Sequence, residues 1–230
     1  MNVLAIDTTN HVLGLALVNN DGTVIGEYIT NLKKNHSVRA MPAIEKLMAD
    51  CDLKPDQLGK IVIATGPGSY TGVRIGVSIA KTMAWALNIP IVGVSSLEGL
   101  AASGRYFDGV VCPIFDARRG QVYTGLYQYN EDELECVEED QNLLFSDWLT
   151  NLKARNRPVL FVGQDVNLHK ELIVSLLGDL ACFGPETMHN PRPSELATLG
   201  IKKEATDVHS LVPNYIRLAE AEAKWLEQQK

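Results

Sequence analysis

Apolar residues in the first quarter of the chain form short runs separated by turn signals. The runs at 2–6, 12–18 and 24–30 have the length of strands, and Asn19-Asn20-Asp21-Gly22 is typical of a hairpin turn between the last two. From about Ser37 to Cys51 apolar residues recur at helical spacing instead. The pattern therefore predicts three antiparallel strands followed by a helix.

A strand, a long helix and a second strand follow. The apolar run at 60–65 leads into a helical pattern at 71–88, and the run at 91–94 comes next. This order predicts a right-handed parallel βαβ unit. Ser95 or Ser96 is the expected N-cap of a further helix that ends near Gly104.

The second half of the chain repeats this order. It predicts strands at 109–116, 121–129, 134–137, 159–162 and 180–183, and helices at 146–154, 168–177, 194–203 and 218–229, with Ser194 capping the third of these helices. The repeat predicts an α/β fold with two mixed-sheet lobes. We expect an N-terminal lobe at 1–103, a C-terminal lobe at 104–213, and a terminal helix within 214–230 that packs back on the first lobe.

The segment from Gly66 to Gly76, with the sequence GPGSYTGVRIG, carries the strongest single signal. A glycine turn between a strand and a helix presents backbone N–H groups to an anion. The segment nevertheless lacks the lysine of a Walker loop, and its GxGxxxG spacing is one residue longer than the dinucleotide fingerprint. The motif therefore does not indicate a common nucleotide site.

Small residues form a line along the helix that starts in this segment. Gly72, Gly76, Ala80 and Ala84 lie four residues apart, so they share one face. Each glycine costs roughly 1 kcal/mol relative to alanine, which close approach of another backbone would offset. The remaining positions are also largely apolar, so the helix is either a core helix packed on a sheet or one that partly faces a second polypeptide.

Composition and charge narrow the possible functions. The 230 residues carry a formal net charge of −7 with no basic cluster, so the chain is not expected to be the main surface that grips RNA or DNA. The four cysteines are far apart, which favours free thiols in a reducing cytoplasm. No apolar run approaches the roughly 20 residues that span a membrane, and no signal peptide is recognised.

Several motifs in the same order resemble the bacterial TsaB family across the whole chain. The central one is the 66–76 segment, and Asp7-Thr8-Thr9 precedes it. The supporting motifs are His36-Ser37, Val94-Ser95-Ser96-Leu97, the run DARRGQVY at 116–123, and PNYIR at 213–217.

The resemblance implies the two-lobe fold of actin-like ATPases, sugar kinases and Hsp70 (the ASKHA fold). It implies a role in making threonylcarbamoyladenosine beside the tRNA anticodon. In that system TsaD transfers the threonylcarbamoyl group from its adenylate to tRNA, TsaB binds TsaD, and the ATPase TsaE joins them. The chain is therefore expected to be a non-catalytic scaffold in the cytoplasm that meets tRNA only indirectly.

The resemblance also places Asp7, Thr8 and Thr9 at the first phosphate loop of actin-like ATPases, with Ser69 beside them. The matching loop of the second lobe reads Asp116-Ala117-Arg118-Arg119-Gly120 and lacks the glycine-threonine pattern. We expect a vestigial nucleotide cleft with no catalytic residue and no cofactor. An ATPase or kinase that uses Asp7 and the Gly66 loop is the alternative.

A metallopeptidase is a further alternative, because related proteins carry the label glycoprotease. TsaD proteins bind a metal through HxxxH and a later aspartate, but here Ala40 stands where the partner of His36 would be. Three or four ligands are needed for a structural site, and the spacing of the five histidines offers none. No metal is expected.

The two first-lobe helices at 37–51 and 71–88 are the expected interaction surface. We expect them to meet the equivalent pair of TsaD as a four-helix bundle, and to pair with a second copy when the chain is alone. The expected interface residues are His36, Met41, Ile44, Met48, Gly72, Val73, Gly76, Val77, Ala80 and Ala84.

Overall fold

The computed structural model describes residues 1–32 and 34–216. The strands are β1 Asn2–Asp7, β2 Val12–Asn19, β3 Val24–Asn31, β4 Leu58–Ala64, β5 Ile91–Val94, β6 Val110–Asp116, β7 Gln121–Asn130, β8 Glu133–Leu144, β9 Val159–Val162 and β10 Ala181–Phe183. The α-helices are α1 His36–Asp50, α2 Tyr70–Leu87, α3 Ser96–Ala101, α4 Phe145–Ala154, α5 Val166–Leu177 and α6 Pro193–Lys202.

The two sheets have the same topology. The first has the strand order β3-β2-β1-β4-β5 and the second the order β8-β7-β6-β9-β10. In each, the three strands that come first in sequence are antiparallel, and the two that follow helices are parallel to the central strand. The duplicated mixed-sheet α/β fold predicted from the sequence is confirmed.

Helices cover both faces of the first sheet. Helices α1 and α2 bury one face, in a core that includes Leu4, Ile6, Ile44, Ile63 and Val77. The opposite face carries the smaller side chains of β1, β2, β4 and β5, and it packs against Leu196 and Ala197 of α6. Helix α6 follows the last strand of the second sheet, so the chain returns to the first lobe.

The second sheet is covered in the reciprocal way. Helices α4 and α5 bury one face around Phe145, Trp148 and Phe161. The other face packs against Leu97 and Leu100 of α3, a helix that follows the last strand of the first sheet. Helix α3 therefore follows the first sheet in sequence but packs on the second sheet. Helix α6 follows the second sheet in sequence but packs on the first.

Helices α3 and α6 contact each other between the two sheets. A Cβ on Gly99 of α3 would lie 3.1 Å from the Cδ1 atom of Leu196 in α6, so the helices pack closely there. The segment after α6 also stays on the first lobe, because Leu211 enters the core of that lobe and the Asn214 N–H donates to Thr65 O at 2.8 Å. Residues 193–216 therefore pack with the N-terminal sheet, although we expected the C-terminal lobe to extend to 213.

Three local expectations differ from the structure or lie outside it. Helix α6 has Arg192 as its N-cap and Pro193 at its first position, so Ser194 lies inside the helix and is not the cap. Strand β8 extends to Leu144, well beyond the predicted end at residue 137. Of the expected terminal helix, residues 214–216 are not helical, and the remainder lies outside the described residues.

Candidate functional site

A cavity of about 840 Å³ lies between the two lobes. One wall comes from the first lobe, where Thr9 and Asn10 follow β1 and where α1 and α2 begin. The other wall comes from the second lobe, from Phe115 to Arg118, Tyr123, and Gln164 and Asp165. The two lobes thus enclose the cleft that the actin-like resemblance implied.

The side chains of Asp7 and Thr8 do not line this cavity. Asp7 is only 3% exposed, and its Oδ1 atom accepts hydrogen bonds from the N–H and the hydroxyl of Thr9 at 2.9 and 2.7 Å. Thr8 is fully buried and donates its hydroxyl to Gly72 O at 2.7 Å. Burial raises the pKa of Asp7 above its ordinary value, although the bonds from Thr9 oppose that shift. Internal hydrogen bonds therefore fix the side chains of Asp7 and Thr8. Of Asp7, Thr8 and Thr9, only Thr9 lines the cleft.

The turn at 66–69 packs directly on the phosphate-loop position. Ser69 N donates to Thr9 O at 2.7 Å, and a Cβ on Gly68 would lie 2.3 Å from that same oxygen. The Ser69 hydroxyl accepts the Gly72 N–H at 3.3 Å and caps α2. The close approach of Thr9 O explains why a glycine stands at position 68. The Ser69 hydroxyl serves as the cap of α2.

Two carboxylates contribute to the wall from the second lobe. Asp116 lies at the end of β6, where its Oδ1 contacts His169 Nε2 at 3.2 Å and its Oδ2 accepts the Arg118 N–H at 3.2 Å. The backbone N–H of Asp116 donates to Asp165 Oδ2 at 2.8 Å. Arg118 has a left-handed backbone, with φ of 66°, in the turn that follows. This wall therefore presents two carboxylates to the cavity, together with Arg118.

His36 begins α1 beside the cleft and is 8% exposed. Its Nε2 atom bonds the backbone oxygen of Asn10 at 2.7 Å, so it ties the helix to the loop after β1. Its Nδ1 atom and the Asn10 Nδ2 atom are buried and have no hydrogen-bond partner among the described residues. Within residues 1–32 and 34–216, no group of three or more His, Cys, Asp or Glu side chains is arranged to hold a metal ion.

The ten expected interface residues are mostly inside the first lobe. Met41 is 46% exposed. The other nine are buried: His36, Ile44, Met48, Gly72, Val73, Gly76, Val77, Ala80 and Ala84. These nine residues are already packed inside the first lobe.

The small-residue stripe of α2 is explained by contact with β1. A Cβ on Gly72 would lie 2.2 Å from Thr8 O, and one on Gly76 would lie 2.3 Å from Thr8 Oγ1. The glycines therefore allow α2 to pack against the end of β1 in the same chain. Of the two alternatives open from the sequence, the structure shows the core helix for this face.

The outward face of α1 and α2 carries a different set of apolar side chains. Val38 and Met41 of α1 are 71% and 46% exposed. Ile79 and Met83 of α2 are half-buried at the edge of the core. The helical pattern placed Val38 on the apolar face of α1 together with Met41 and Ile44, but Val38 was not among the expected interface residues, and the structure leaves it exposed.

An arginine and two tyrosines form a stack beside the cleft. The Arg74 guanidinium lies 4.0 Å from the centre of the Tyr70 ring, and its Nε atom donates to the Tyr215 hydroxyl at 2.6 Å. The two rings are 5.3 Å apart. This stack attaches the segment after α6 to the start of α2.

Comparisons with known proteins agree across the chain. The family model described as TsaD, tRNA N6-adenosine threonylcarbamoyltransferase, matches residues 23–225. The tRNA threonylcarbamoyladenosine biosynthesis protein TsaB of Bacillus subtilis is 65% identical over 230 residues, with both chains covered completely. The protein of the same name from Escherichia coli is 32% identical over 164 residues, which are 65% of this chain and 70% of that protein.

Solved structures share the fold. A Pseudomonas aeruginosa protein described as similar to the peptidase YeaZ superposes with a TM-score of 0.81 at 23% identity, covering 94% of this chain and 99% of that one. The ethanolamine utilization protein EutJ of Carboxydothermus hydrogenoformans has a TM-score of 0.51 at 13% identity, with 87% and 90% coverage. These likenesses agree with the two-lobe ASKHA fold. No helix within the described part of the chain has the length and apolarity to cross a membrane.

Proposed function

This chain belongs to the TsaB family of tRNA threonylcarbamoyladenosine biosynthesis proteins, and from this premise we propose that it is a non-catalytic partner of TsaD. It would bind TsaD, and TsaE would join the pair, so that threonylcarbamoyl is transferred from its adenylate to tRNA. Because this work requires tRNA, we propose that it takes place in the cytoplasm, with tRNA contacted mainly by the partners.

The state of Asp7 is the observation that carries the non-catalytic assignment. An aspartate that handles Mg²⁺ needs a carboxylate that faces the bound nucleotide. Here the carboxylate is buried away from the cleft and accepts two hydrogen bonds from Thr9. The Thr8 hydroxyl is likewise bonded to Gly72 O. The Thr8 hydroxyl would have to break its hydrogen bond before it could act on a phosphate, and the Oδ1 atom of Asp7 is likewise occupied by Thr9.

The outward face of α1 and α2 is the proposed docking surface for TsaD. Val38 and Met41 are exposed on α1, and Ile79 and Met83 are half-buried on α2. A match to the TsaD family model supports a common ancestry with TsaD, so TsaD is expected to present an equivalent helix pair. The nine buried residues of the two helices would shape this surface from beneath without touching the partner.

Reconstitution tests the function. The chain is mixed with TsaD and TsaE, and the threonylcarbamoyladenosine content of tRNA is measured by mass spectrometry with and without it. We expect modification to depend on this chain. Modification that proceeds equally well without it would disprove the proposed role.

A matched pair of variants tests the surface. Val38→Asp on α1 and Leu168→Asp on α5 alter side chains that are both 71% exposed, so neither should disturb folding. Val38→Asp is expected to abolish co-purification with TsaD and to reduce modification, whereas Leu168→Asp should leave both unchanged. If the two variants behave alike, the docking surface lies elsewhere.

Calorimetry with Mg-ATP separates this proposal from an ATPase or kinase. An enzyme that uses Asp7 and the Gly66 loop would bind Mg-ATP with micromolar affinity and would lose that binding in Asp7→Ala. The buried Asp7 carboxylate favours the opposite result, in which Mg-ATP binding does not depend on this residue.

A further inference from the structure

The chain first crosses from one lobe to the other where β5 ends and α3 begins. Ser95 stands at this junction and is the N-cap of α3, because its hydroxyl oxygen accepts the backbone N–H groups of Leu97 and Glu98 at 3.1 and 3.4 Å. The Ser96 N–H donates to Gly66 O of the first lobe at 3.0 Å. The first turn of α3 is therefore tied to the first lobe, although the helix packs on the second sheet.

Asp140 of β8 reaches this junction from the second lobe. Its Oδ2 atom accepts the Ser95 hydroxyl, and its Oδ1 atom accepts the hydroxyl of Tyr127 on the neighbouring strand β7. A Cβ on Gly125 of β7 would lie 2.7 Å from Asp140 Oδ1, so the carboxylate passes over β7 where that strand has no side chain. Asp140 thus links the outermost strand of the second sheet to the start of α3.

Water competes little for this contact. Tyr127 is only 3% exposed, and Asp140 is half-buried. Burial raises the pKa of Asp140, although the hydrogen bonds from Ser95 and Tyr127 oppose that shift. Hydrogen bonds to a carboxylate are stronger than those between neutral groups, and they are stronger still where water is excluded. The bond between Ser95 and Asp140 is therefore expected to hold α3 and β8 firmly together.

Ion pairs lie beside this bond. Lys203, which follows α6 on the first lobe, pairs with Glu98 of α3 at 2.5 Å, and Lys202 pairs with Glu133 of β8 at 3.7 Å. The side chains of Lys202 and Glu133 are more than half exposed, so water and salt weaken their attraction. The half-buried carboxylate of Asp140 is screened less than this exposed pair.

The bond lies at the junction and away from the cleft. Ser95, Tyr127 and Asp140 do not line the cavity. Tyr123 of β7 does, and since a strand rises about 3.3 Å per residue, Tyr127 lies roughly 13 Å farther along β7. The lobes can change the width of the cleft only by turning about the segments that join them. A bond at one of these segments therefore resists that turning.

From these contacts we propose that Asp140 acts as a latch, which holds the two lobes at one angle through its hydrogen bond to Ser95 at the junction. The cleft then keeps a single width in the isolated chain, and loss of the latch lets the lobes turn about residues 94–96. The latch needs no partner protein, so it stands or fails independently of the proposed docking to TsaD.

Single-molecule fluorescence energy transfer on the full-length chain tests the latch. The two dyes are attached at Glu45→Cys on α1 and Glu171→Cys on α5, which are exposed positions in different lobes. Cys112 is fully buried and its thiol has a pKa raised to about 11, so it does not react with the dyes. The remaining cysteines are replaced by alanine: Cys51, Cys136 and Cys182. This labelled parent is expected to show one population of transfer efficiency.

Asp140→Ala removes both acceptor oxygens, so it should add a second population at a different transfer efficiency. Ser95→Ala breaks the same bond from the other side and should cause the same change, so it keeps the test decisive if Asp140→Ala does not fold. Asp140→Asn keeps an oxygen that can accept the Ser95 hydroxyl, and it should restore the parent distribution.

Glu138→Ala is the matched control, because Glu138 is a half-buried carboxylate on the same strand that pairs with Arg155 of its own lobe. It should leave the transfer efficiency unchanged. The latch is disproved if folded Asp140→Ala and Ser95→Ala both keep the parent distribution. It is also disproved if the parent already shows several populations, or if Glu138→Ala changes the distribution as much as Asp140→Ala does.

Discussion

Thr8 and Gly72 are joined by a hydrogen bond across the junction of β1 and α2. The Thr8 hydroxyl donates to Gly72 O at 2.7 Å, and a Cβ on Gly72 would lie 2.2 Å from Thr8 O. The contact fixes the start of α2 against the end of β1. It also uses the hydroxyl that the actin-like resemblance assigned to a phosphate.

Gly72→Ala is expected to destabilise the protein by about 2 kcal/mol, since backbone atoms must move to admit the methyl group. Gly76→Ala should cost less, because its nearest neighbour is the Thr8 side chain and alanine favours helix by about 1 kcal/mol. Urea unfolding gives both values. Ser78→Ala is the control at an exposed position of the same helix and should stay within about 0.5 kcal/mol of the parent. Equal stability of all three variants would contradict the close packing.

Glu27 of β3 holds the start of α6. Its Oε1 atom accepts from Ser194 N at 3.0 Å and from the Ser194 hydroxyl at 2.6 Å, and its Oε2 atom pairs with Arg192 at 2.8 Å. We expect Glu27→Ala to reduce the free energy of unfolding by about 1–3 kcal/mol, because it leaves these donors unpaired. Glu45→Ala, at an exposed position of α1, should have little effect on the urea midpoint. If the urea midpoint of Glu27→Ala equals that of the parent, Glu27 does not stabilise the start of α6.

Asp140 makes stability depend on pH. Burial raises its pKa, while its hydrogen bonds from Ser95 and Tyr127 oppose the shift. The folded state therefore binds the proton more tightly than the unfolded state. The stability that Asp140 contributes is fully present below pH 3.8, the ordinary pKa of an aspartate. It is lost as the pH rises from there through the raised pKa of Asp140 in the folded state.

Asp140→Asn removes this proton linkage. The stability of the variant relative to the parent should increase with pH above about 4 and then become constant, as measured by urea unfolding at pH 4–8. Asp21→Asn is the control, since the Thr23 N–H lowers the pKa of that exposed carboxyl and its linkage therefore lies below 3.8, so its stability relative to the parent should stay nearly constant at pH 4–8. A difference between parent and Asp140→Asn that does not change with pH would contradict the linkage.

The isolated chain is expected to form a homodimer through the outward face of α1 and α2. An isologous pair buries the same surface on both copies, so Val38→Asp should place two charges in one interface and yield monomers. Sedimentation velocity measures whether the parent and the Val38→Asp variant are dimers or monomers. Addition of TsaD to the parent should replace the homodimer with a heterodimer. A dimer that survives both Val38→Asp and TsaD would use another surface.

Local sequence signals predicted most elements, because each depends on near neighbours. The order of β4, α2 and β5 follows from apolar runs and a glycine turn, and Ser95 caps α3 as expected. Strand β8 was predicted too short because its second half is rich in charged and polar side chains, which an edge strand tolerates on its exposed side.

The arrangement of the site depended on long-range packing that periodicity does not report. Helix α2 is apolar nearly all round, so the sequence could not show which face β1 covers. The burial of Val77 and Ala84 settles that point. The cleft likewise joins Lys34 to Tyr123 and Asp165, and these residues meet only through the relative position of the two lobes. The duplicated order of elements was readable from the sequence, whereas the exchange of α3 and α6 between lobes was not.

That exchange has a consequence for synthesis on the ribosome. The apolar face that β1, β2, β4 and β5 present to α6 stays uncovered until about residue 202 has emerged from the exit tunnel. The N-terminal half therefore cannot finish folding while the C-terminal half is being translated. A nascent chain that stalls near residue 183 would expose this sheet to chaperones and proteases, because α6 has to be synthesised before the core of the first lobe can be completed.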